Sequence, residues 1–315
     1  MAFRGLFVGL ITLDMVYQVE RMPQPNQKCV ALDSAISAGG PATNAAVAFS
    51  ALGNQATVLG GLGQHPIQHL IRQDLEECGV AIADLLPHQT TPPPASSIMV
   101  TKSTGDRAVV SLNAVKSQAT PEQIPAAILS ELDRGQFDVV LIDGHQMAVG
   151  EAIAHRARQL GIPVIVDGGS WKPRFETVLR HTDVAICSAN FQPPHCSTSA
   201  EVMNALAAWG ITHRVITRGE QPILYESDQS TMIQISTTPA SVVDTLGAGD
   251  IFHGAFCHHW LQQFSQPKVQ QGQPFPAIAE PEMDAQIINA LEQAGVVAAQ
   301  ACQSFGTRQW LRERL

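Results

Sequence analysis

Val243-Asp244-Thr245-Leu246-Gly247-Ala248-Gly249-Asp250 runs directly into Ile251-Phe252-His253-Gly254-Ala255-Phe256. Apolar residues precede the glycines and a helical pattern follows them, so Gly-Ala-Gly opens a helix. The first N–H groups of a helix have no partner within it, and the helix dipole is positive there. An anion fits such a start, and small residues let it approach the backbone closely. Asp250 places a carboxylate in the same first turn. Phosphoryl transfer needs N–H groups that take up charge on the moving phosphoryl group. It also needs a carboxylate that takes the proton of the attacking hydroxyl. The helix start is expected to keep Asp250 ionised, as a base must be. A short G-x-G-D alone is more often a capped turn, so the reading depends on the rest of the chain.

Upstream of this segment, apolar strands at residues 139–142, 163–166, 184–187 and 214–217 alternate with helical stretches at 121–132, 149–160, 175–180 and 200–209. That alternation predicts a parallel sheet with helices on both faces. Such sheets bind ligands at the carboxyl ends of their strands. Nearer the N-terminus, a strand at 4–10, a helix at 41–52 that Gly53 stops, a strand at 56–59 and a helix at 67–78 extend the pattern. Residues 29–36 and 96–112 break it. The second of these reads as a hairpin around Ser103-Thr104-Gly105-Asp106, and both are expected to form a small sheet set apart from the main one. Residues 262–283, rich in Gln and Pro, read as a surface insertion, and a helix from about 284 to 302 closes the fold.

Two further segments carry polar groups at places where a ligand would lie. Ala38-Gly39-Gly40-Pro41-Ala42-Thr43-Asn44 is a second glycine pair at a helix start, with a polar Asn44 inside an otherwise apolar helix. The bland alternative is a tight turn with a locally bonded Asn. Asp14 follows the first strand in Gly9-Leu10-Ile11-Thr12-Leu13-Asp14, where a carboxylate is well placed to accept hydrogen bonds from hydroxyls.

Together these segments resemble the ribokinase-like (PfkB) family of carbohydrate kinases, over nearly the whole chain. The order and separation of the two glycine motifs carry the likeness. The resemblance implies an α/β fold in one domain spanning 1–315: a mostly parallel sheet with helices on both faces, and a small β-sheet lid formed by about 28–37 and 95–113. It implies that Asp250 is the general base and that Gly247, Ala248 and Gly249 form the anion hole. Asp14, Gly39, Gly40 and Asn44 would hold the sugar. Asn190 and the turn Thr217-Arg218-Gly219 would border ATP with its Mg2+. Asp244 matches a position that in some members helps bind a monovalent cation, so K+ joins the expected cofactors. The lid would close over the sugar and exclude water. Its open strand edges lead to the expectation of a homodimer through the lid.

The chain departs from the family pattern at Asn190-Phe191-Gln192-Pro193, where many members carry Asn-x-x-Glu. Magnesium would then be held chiefly by the oxygens of ATP. Ketohexokinases also lack that Glu, and they resemble this chain in the hairpin and at Asp143-Gly144. Pro41 stands where a ketohexokinase has a sugar-contacting Asn, which argues against fructose. The run Asp167-Gly168-Gly169-Ser170-Trp171-Lys172 resembles a subgroup of the family.

Composition bounds the alternatives. The 315 residues are 45% hydrophobic and 15% charged, with a formal net charge of −9. Nucleic acid and anionic membranes want clustered Lys and Arg, so neither is expected as a partner. Six cysteines without a C-x-x-C pair read as reduced, buried thiols in a soluble, cytoplasmic protein. Gly61-Leu62-Gly63 lacks the third glycine of a dinucleotide site. His65 with His69, and His253 with Cys257, lack the further ligands of a metal site. Arg308, Arg312 and Arg314 read as a solvated helical face. A nucleoside kinase is the nearest competing enzyme, but it wants an aromatic base pocket and aromatics are only 5% of the chain. A catalytically inactive regulatory member of the family would have lost the acid or the glycines, and both are intact.

Overall fold

The computed structural model describes residues 2–263 and 280–312. Its strands, in chain order, are β1 Arg4–Val8, β2 Thr12–Val19, β3 Asp33–Gly39, β4 Gln55–Gly60, β5 Val80–Asp84, β6 Ala95–Thr101, β7 Arg107–Ser111, β8 Val139–Ile142, β9 Val164–Gly168, β10 Val184–Ser188, β11 His213–Arg218, β12 Gln221–Ser227 and β13 Ile233–Ile235. The helices are α1 Pro41–Ala51, α2 Gln68–Glu77, α3 Ala126–Asp133, α4 Met147–Gln159, α5 Phe175–Leu179, α6 Ser199–Ala208, α7 Ala248–Gln263, α8 Glu280–Ala301 and α9 Gln309–Arg312.

Nine strands form the main sheet in the order β13-β12-β11-β10-β9-β8-β1-β4-β5. It is parallel from β11 to β5, and the two outer strands β12 and β13 run antiparallel. The alternation of side chains splits each strand between two cores. In β1, Phe7 faces the core shared with α1, α2, α7 and α8, while Leu6 and Val8 face the core shared with α3 to α6. In β10, Val184 and Ile186 point one way, and Ala185 and Cys187 the other. Strands buried on both faces must be apolar throughout, which is why these short runs read so clearly. Each fully buried Leu, Ile, Val or Phe contributes about 1.5–3 kcal/mol.

The lid is a separate four-stranded sheet in the order β3-β2-β6-β7. The structure corrects the sequence reading here. The lid has a strand that was not anticipated, β2, and Asp14 lies in it rather than in a loop after β1. Three residues separate β1 from β2, and an acid in a strand interior runs against β propensity. Pairing explains the exception. Asp14 stands opposite Ser37 on β3 and Ser96 on β6, so it lies in a row of small polar residues on the inner face of the lid. Strand β3 starts at Asp33, later than expected, and Cys29 before it is exposed rather than buried. All six cysteines are free.

Two smaller features follow from local chemistry. Pro125 splits the expected helix at 121–132 into a 3-10 turn, Pro121–Gln123, and α3, because proline cannot donate within a helix. Strands β5, β12 and β13 lie at or near an edge of the main sheet, where fewer neighbours demand the unbroken apolar run of a central strand. Most of the insertion expected at 262–283 lies outside the described residues. Among the described residues, no helix is long and apolar enough to cross a membrane.

Candidate active site

Helices α1 and α7 touch almost backbone to backbone. A Cβ on Gly254 would stand 2.1 Å from the carbonyl oxygen of Ala45 and 2.9 Å from Cβ of Ala48. The small residues of both helices permit that approach, and it joins two polar groups 206 positions apart. Asn44 Nδ2 donates to Asp250 Oδ2 at 2.8 Å. The glycine motif at the start of α1 and the Gly-Ala-Gly-Asp at the start of α7 therefore belong to one site.

The loop before α7 has the form an anion needs. Gly247 has φ 72°, which favours glycine, and a Cβ there would lie 2.9 Å from the Thr307 methyl. A Cβ on Gly249 would meet nothing within 4 Å, so the space beside its Cα is open. The helix starts at Ala248, whose N–H donates to the Thr245 carbonyl at a long 3.3 Å, and first-turn N–H groups have no acceptor within a helix. Asp244 shapes the loop. Its Oδ1 accepts from Leu246 N–H and its Oδ2 from Gly306 N–H, both at 2.9 Å. The lid reaches the same loop through Arg107, whose Nη1 donates to Thr245 Oγ1 at 2.6 Å.

Electrostatics depart from the sequence expectation. Asp250 is not held in the ordinary carboxylate range: burial and the nearby Asp167 push its carboxyl up to about 7, against the hydrogen bond from Asn44 and the pull of His253. Asp14 adds to the rise. Burial also raises Asp14 to about 6, opposed by Ser96 and Arg308, and it raises Asp167. His253 lies one turn along α7 from Asp250. Its Nδ1 is 2.6 Å from the Gly249 carbonyl and 3.5 Å from Asp167 Oδ2, and its Nε2 is 3.1 Å from the Ile186 carbonyl. His253 thereby ties the loop before α7 to β10 and to the end of β9.

On the lid side, Asp14 is 6% exposed and its Oδ1 has no hydrogen-bond partner. A buried carboxylate oxygen left without a donor is costly, and a ligand hydroxyl would satisfy it. Gly39 makes the space: a Cβ there would lie 1.9 Å from Asp14 Oδ2. Gly40 caps α1 with φ 103°, and a Cβ on it would meet the Leu10 carbonyl oxygen at 2.3 Å. Asp143, at the end of β8, fastens this corner. It accepts from Leu10 N–H at 2.9 Å, Ala42 N–H at 3.1 Å and His145 N–H at 2.8 Å.

The residues expected at the nucleotide lie at the carboxyl ends of β10 and β11. Asn190 N–H donates to Ser188 Oγ at 3.1 Å, and a recess beside it is lined by Ser188, Phe191, Gln192, Thr198 and Ile216. Thr217 Oγ1 donates to the Cys187 carbonyl at 3.4 Å. The Arg218 guanidinium donates to the Pro222 carbonyl, and Gly219 turns the chain into β12 with φ 63°.

Sequence reasoning underrated three groups. Asp143 and Asp167 are acids at the carboxyl ends of parallel strands, and that position alone marks them. Arg308 does not lie on a solvated face. Its side chain is 16% exposed and reaches Asn44, Asp74 and Ala38; no local pattern announces it.

A doubly covered parallel sheet, a separate lid and a Gly-Ala-Gly-Asp helix start against a polar pocket define a carbohydrate kinase of ribokinase-like fold. Residues 5–314 match the pfkB family of carbohydrate kinases, and the chain belongs to that family. It is 25% identical to a ribokinase of Lactococcus lactis over 264 residues, covering 82% of this chain and 84% of that protein. It is 25% identical to mouse ketohexokinase over 267 residues, covering 79% and 86%. In structure it is similar to Arabidopsis thaliana ribokinase complexed with ribose and ATP, with TM-score 0.74, 20% identity, and 99% and 98% coverage. It is also similar to Giardia lamblia ribokinase, with TM-score 0.76, 18% identity, and 100% and 99% coverage.

Proposed function

We propose that this kinase transfers the terminal phosphoryl group of ATP to a hydroxyl of a sugar or sugar-like molecule, with Asp250 as general base. The observation that carries this reading is the meeting of Asp250, Asn44 and the open space beside Gly249 at one point. ATP supplies the phosphoryl group, with Mg2+ carried on its own oxygens and waters. The open first turn of α7 and the left-handed Gly247 fit a phosphate. Asp14 and Asn44 orient the acceptor between the lid and α1, beside the close-packed Gly39 and Gly40. Asp250 takes the hydroxyl proton, while the N–H groups of Gly247, Ala248 and Gly249 take up charge on the transferred group. Asn190 and the turn Thr217-Arg218-Gly219 border the nucleotide. Asp244 builds the loop, and any K+ there shares a carboxylate already bonded to two N–H groups. ATP consumption against a panel of sugars, sugar acids and nucleosides tests the function; no transfer to any of them would favour a regulatory member. Tyr17 is the one aromatic residue on the four lid strands, and it is 40% exposed, which favours a plain sugar over a nucleoside.

A base that titrates near 7 sets the pH profile. Asp250 works only when deprotonated, so kcat/KM, which reports the free enzyme, should climb through about pH 7 and level off above it. A rate already flat from pH 5 upward would mean that the base is not a raised carboxyl.

Asn44→Ala should raise the sugar KM by about ten- to a hundredfold, the scale of a lost hydrogen bond in a buried site. The ATP KM should stay near wild type. A selective rise in the ATP KM would show that the two subsites are exchanged. Asn44 also touches the base, so kcat should fall as well.

The outer face of the lid supports a homodimer. Ile36, Met15, Ser97 and Val110 form one row across β3, β2, β6 and β7, and Ile36 and Val110 are 60% and 71% exposed. A second copy would cover this row. Light scattering should give twice the chain mass, and Ile36→Glu with Val110→Glu should halve it. A wild-type monomer at high concentration would sink the idea.

A further inference from the structure

Arg308 lies just before α9, near the end of the described chain, yet its six hydrogen bonds tie it to Asn44 and to the backbone beside Gly39. Nε and Nη2 both donate to Asp74 Oδ2 at 3.1 Å. Nη2 donates to the Ala38 carbonyl at 2.8 Å, next to the Gly39-Gly40 step. Nη1 donates at 3.1 Å to Asn44 Oδ1, to Thr307 Oγ1 and to the Thr307 carbonyl. Asp74 Oδ2 is itself held by Ala38 N–H at 3.0 Å. The guanidinium is therefore fixed on one side by a carboxylate and on the other by backbone.

An asparagine amide has one accepting and one donating end, and its neighbours decide which way it points. A guanidinium can only donate. Arg308 Nη1 against Asn44 Oδ1 therefore forces Nδ2 toward Asp250. The reverse orientation would set an amide oxygen against a carboxylate oxygen and NH2 against a guanidinium, two repulsive contacts. Nδ2 carries two hydrogens. One is spent on Asp250, and the other has no partner among the described residues.

We infer that Arg308 is a positioning residue for phosphoryl transfer, acting through Asn44: the chain Asp74–Arg308–Asn44–Asp250 aims one amide group at both the base and the acceptor hydroxyl. This rests on the assignment of Asp250 as base. The groups facing that base from neighbouring elements are Asn44 on α1, Asp14 on β2, Asp167 on β9 and His253 on α7. Of these, Asn44 is the one whose donor is directed by a second side chain from the C-terminal segment. Arg308 also pulls the Asp14 carboxyl down, so it supports the sugar side of the pocket through charge as well as through Asn44.

The test is Arg308→Ala in the full chain, with kcat and both KM values measured from pH 5 to 9. The expected result is a kcat about tenfold or more lower, the scale of one misdirected hydrogen bond to a charged group. The acid limb should move to higher pH, because a wandering amide no longer favours the ionised base, and the ATP KM should hold. Millimolar guanidinium should restore part of the rate. A purely structural strap would lower Tm but leave the acid limb in place and show no such rescue. In labelled wild-type protein, the Asn44 side-chain amide resonances should shift with the same midpoint as the acid limb. If Arg308→Ala does not fold, Arg308→Lys keeps the charge without the fork and should show the same upward shift of the limb. An active wild type with either folded variant keeping the wild-type kcat and limb overturns the inference. An inactive wild type overturns the assignment of the base instead.

Discussion

Asp250→Asn should lower kcat by at least about a hundredfold, the usual scale for a positioned general base, while ATP still binds. The variant keeps the shape of the side chain and a hydrogen-bonding end toward Asn44. The Gly247–Gly249 backbone is untouched, and a negative charge near the phosphates is gone, so the ATP affinity should hold or rise slightly. Asp244→Asn is the control. Each oxygen of Asp244 accepts a backbone N–H, so that change should lower Tm more than it slows the chemistry. If the Asp250 variant turns over normally while the Asp244 variant is dead, the base is misassigned.

The same variant has a second readout, in stability. The Asp250 carboxyl titrates near 7 in the folded chain, against about 4 unfolded. Between those values the folded state holds a proton that the unfolded state has lost, so the contribution of Asp250 to wild-type stability falls as pH rises from about 4 through about 7. Asparagine carries no such group. The Tm of Asp250→Asn relative to wild type should therefore climb across that window and level off above it. A Tm difference independent of pH would show that the carboxyl is not raised, even if the kinetic result stands.

How much of this was legible in the sequence divides along physical lines. The central strands and the Gly-Ala-Gly-Asp helix start are dictated locally, because burial on both faces enforces apolar runs and an anion loop needs small residues. Asp14 was found as a residue and misplaced as structure: its strand exists through pairing with β3 and β6, which no window along the chain contains. The charge state of Asp250 was read from its own helix and came out too acidic. Burial and Asp167, on another element, outweigh the helix start. Arg308 reads from the sequence as part of a solvated helical face, and the structure inserts it at the site. Its partners Asn44 and Asp74 lie 264 and 234 positions away, and a cluster of C-terminal arginines looks the same whether solvated or inserted.

Gly39→Ala should raise the sugar KM by about a hundredfold and lower the stability by about 1–3 kcal/mol, the cost of overpacking a filled site. The added Cβ would lie 1.9 Å from Asp14 Oδ2 and 2.3 Å from its carboxyl carbon, so either the carboxylate or strand β3 must move. Asp14 is buried between Ser37 and Ser96 on its neighbouring strands, and displacement takes its free oxygen away from the acceptor. The methyl meets only the Asp14 side chain among its nearest contacts, which makes the effect separable. In an Asp14→Ala background the carboxylate is gone, and Gly39→Ala should then add little to either KM or Tm. Such strong non-additivity is expected of two groups competing for one space. Additive losses in the double variant would mean that the glycine is required for some other contact and that Asp14 does not hold the sugar from that position. The ATP KM, read in the same assays, should stay near wild type in all three variants, because the clash lies on the lid side of the cleft and leaves the Gly247–Gly249 loop intact.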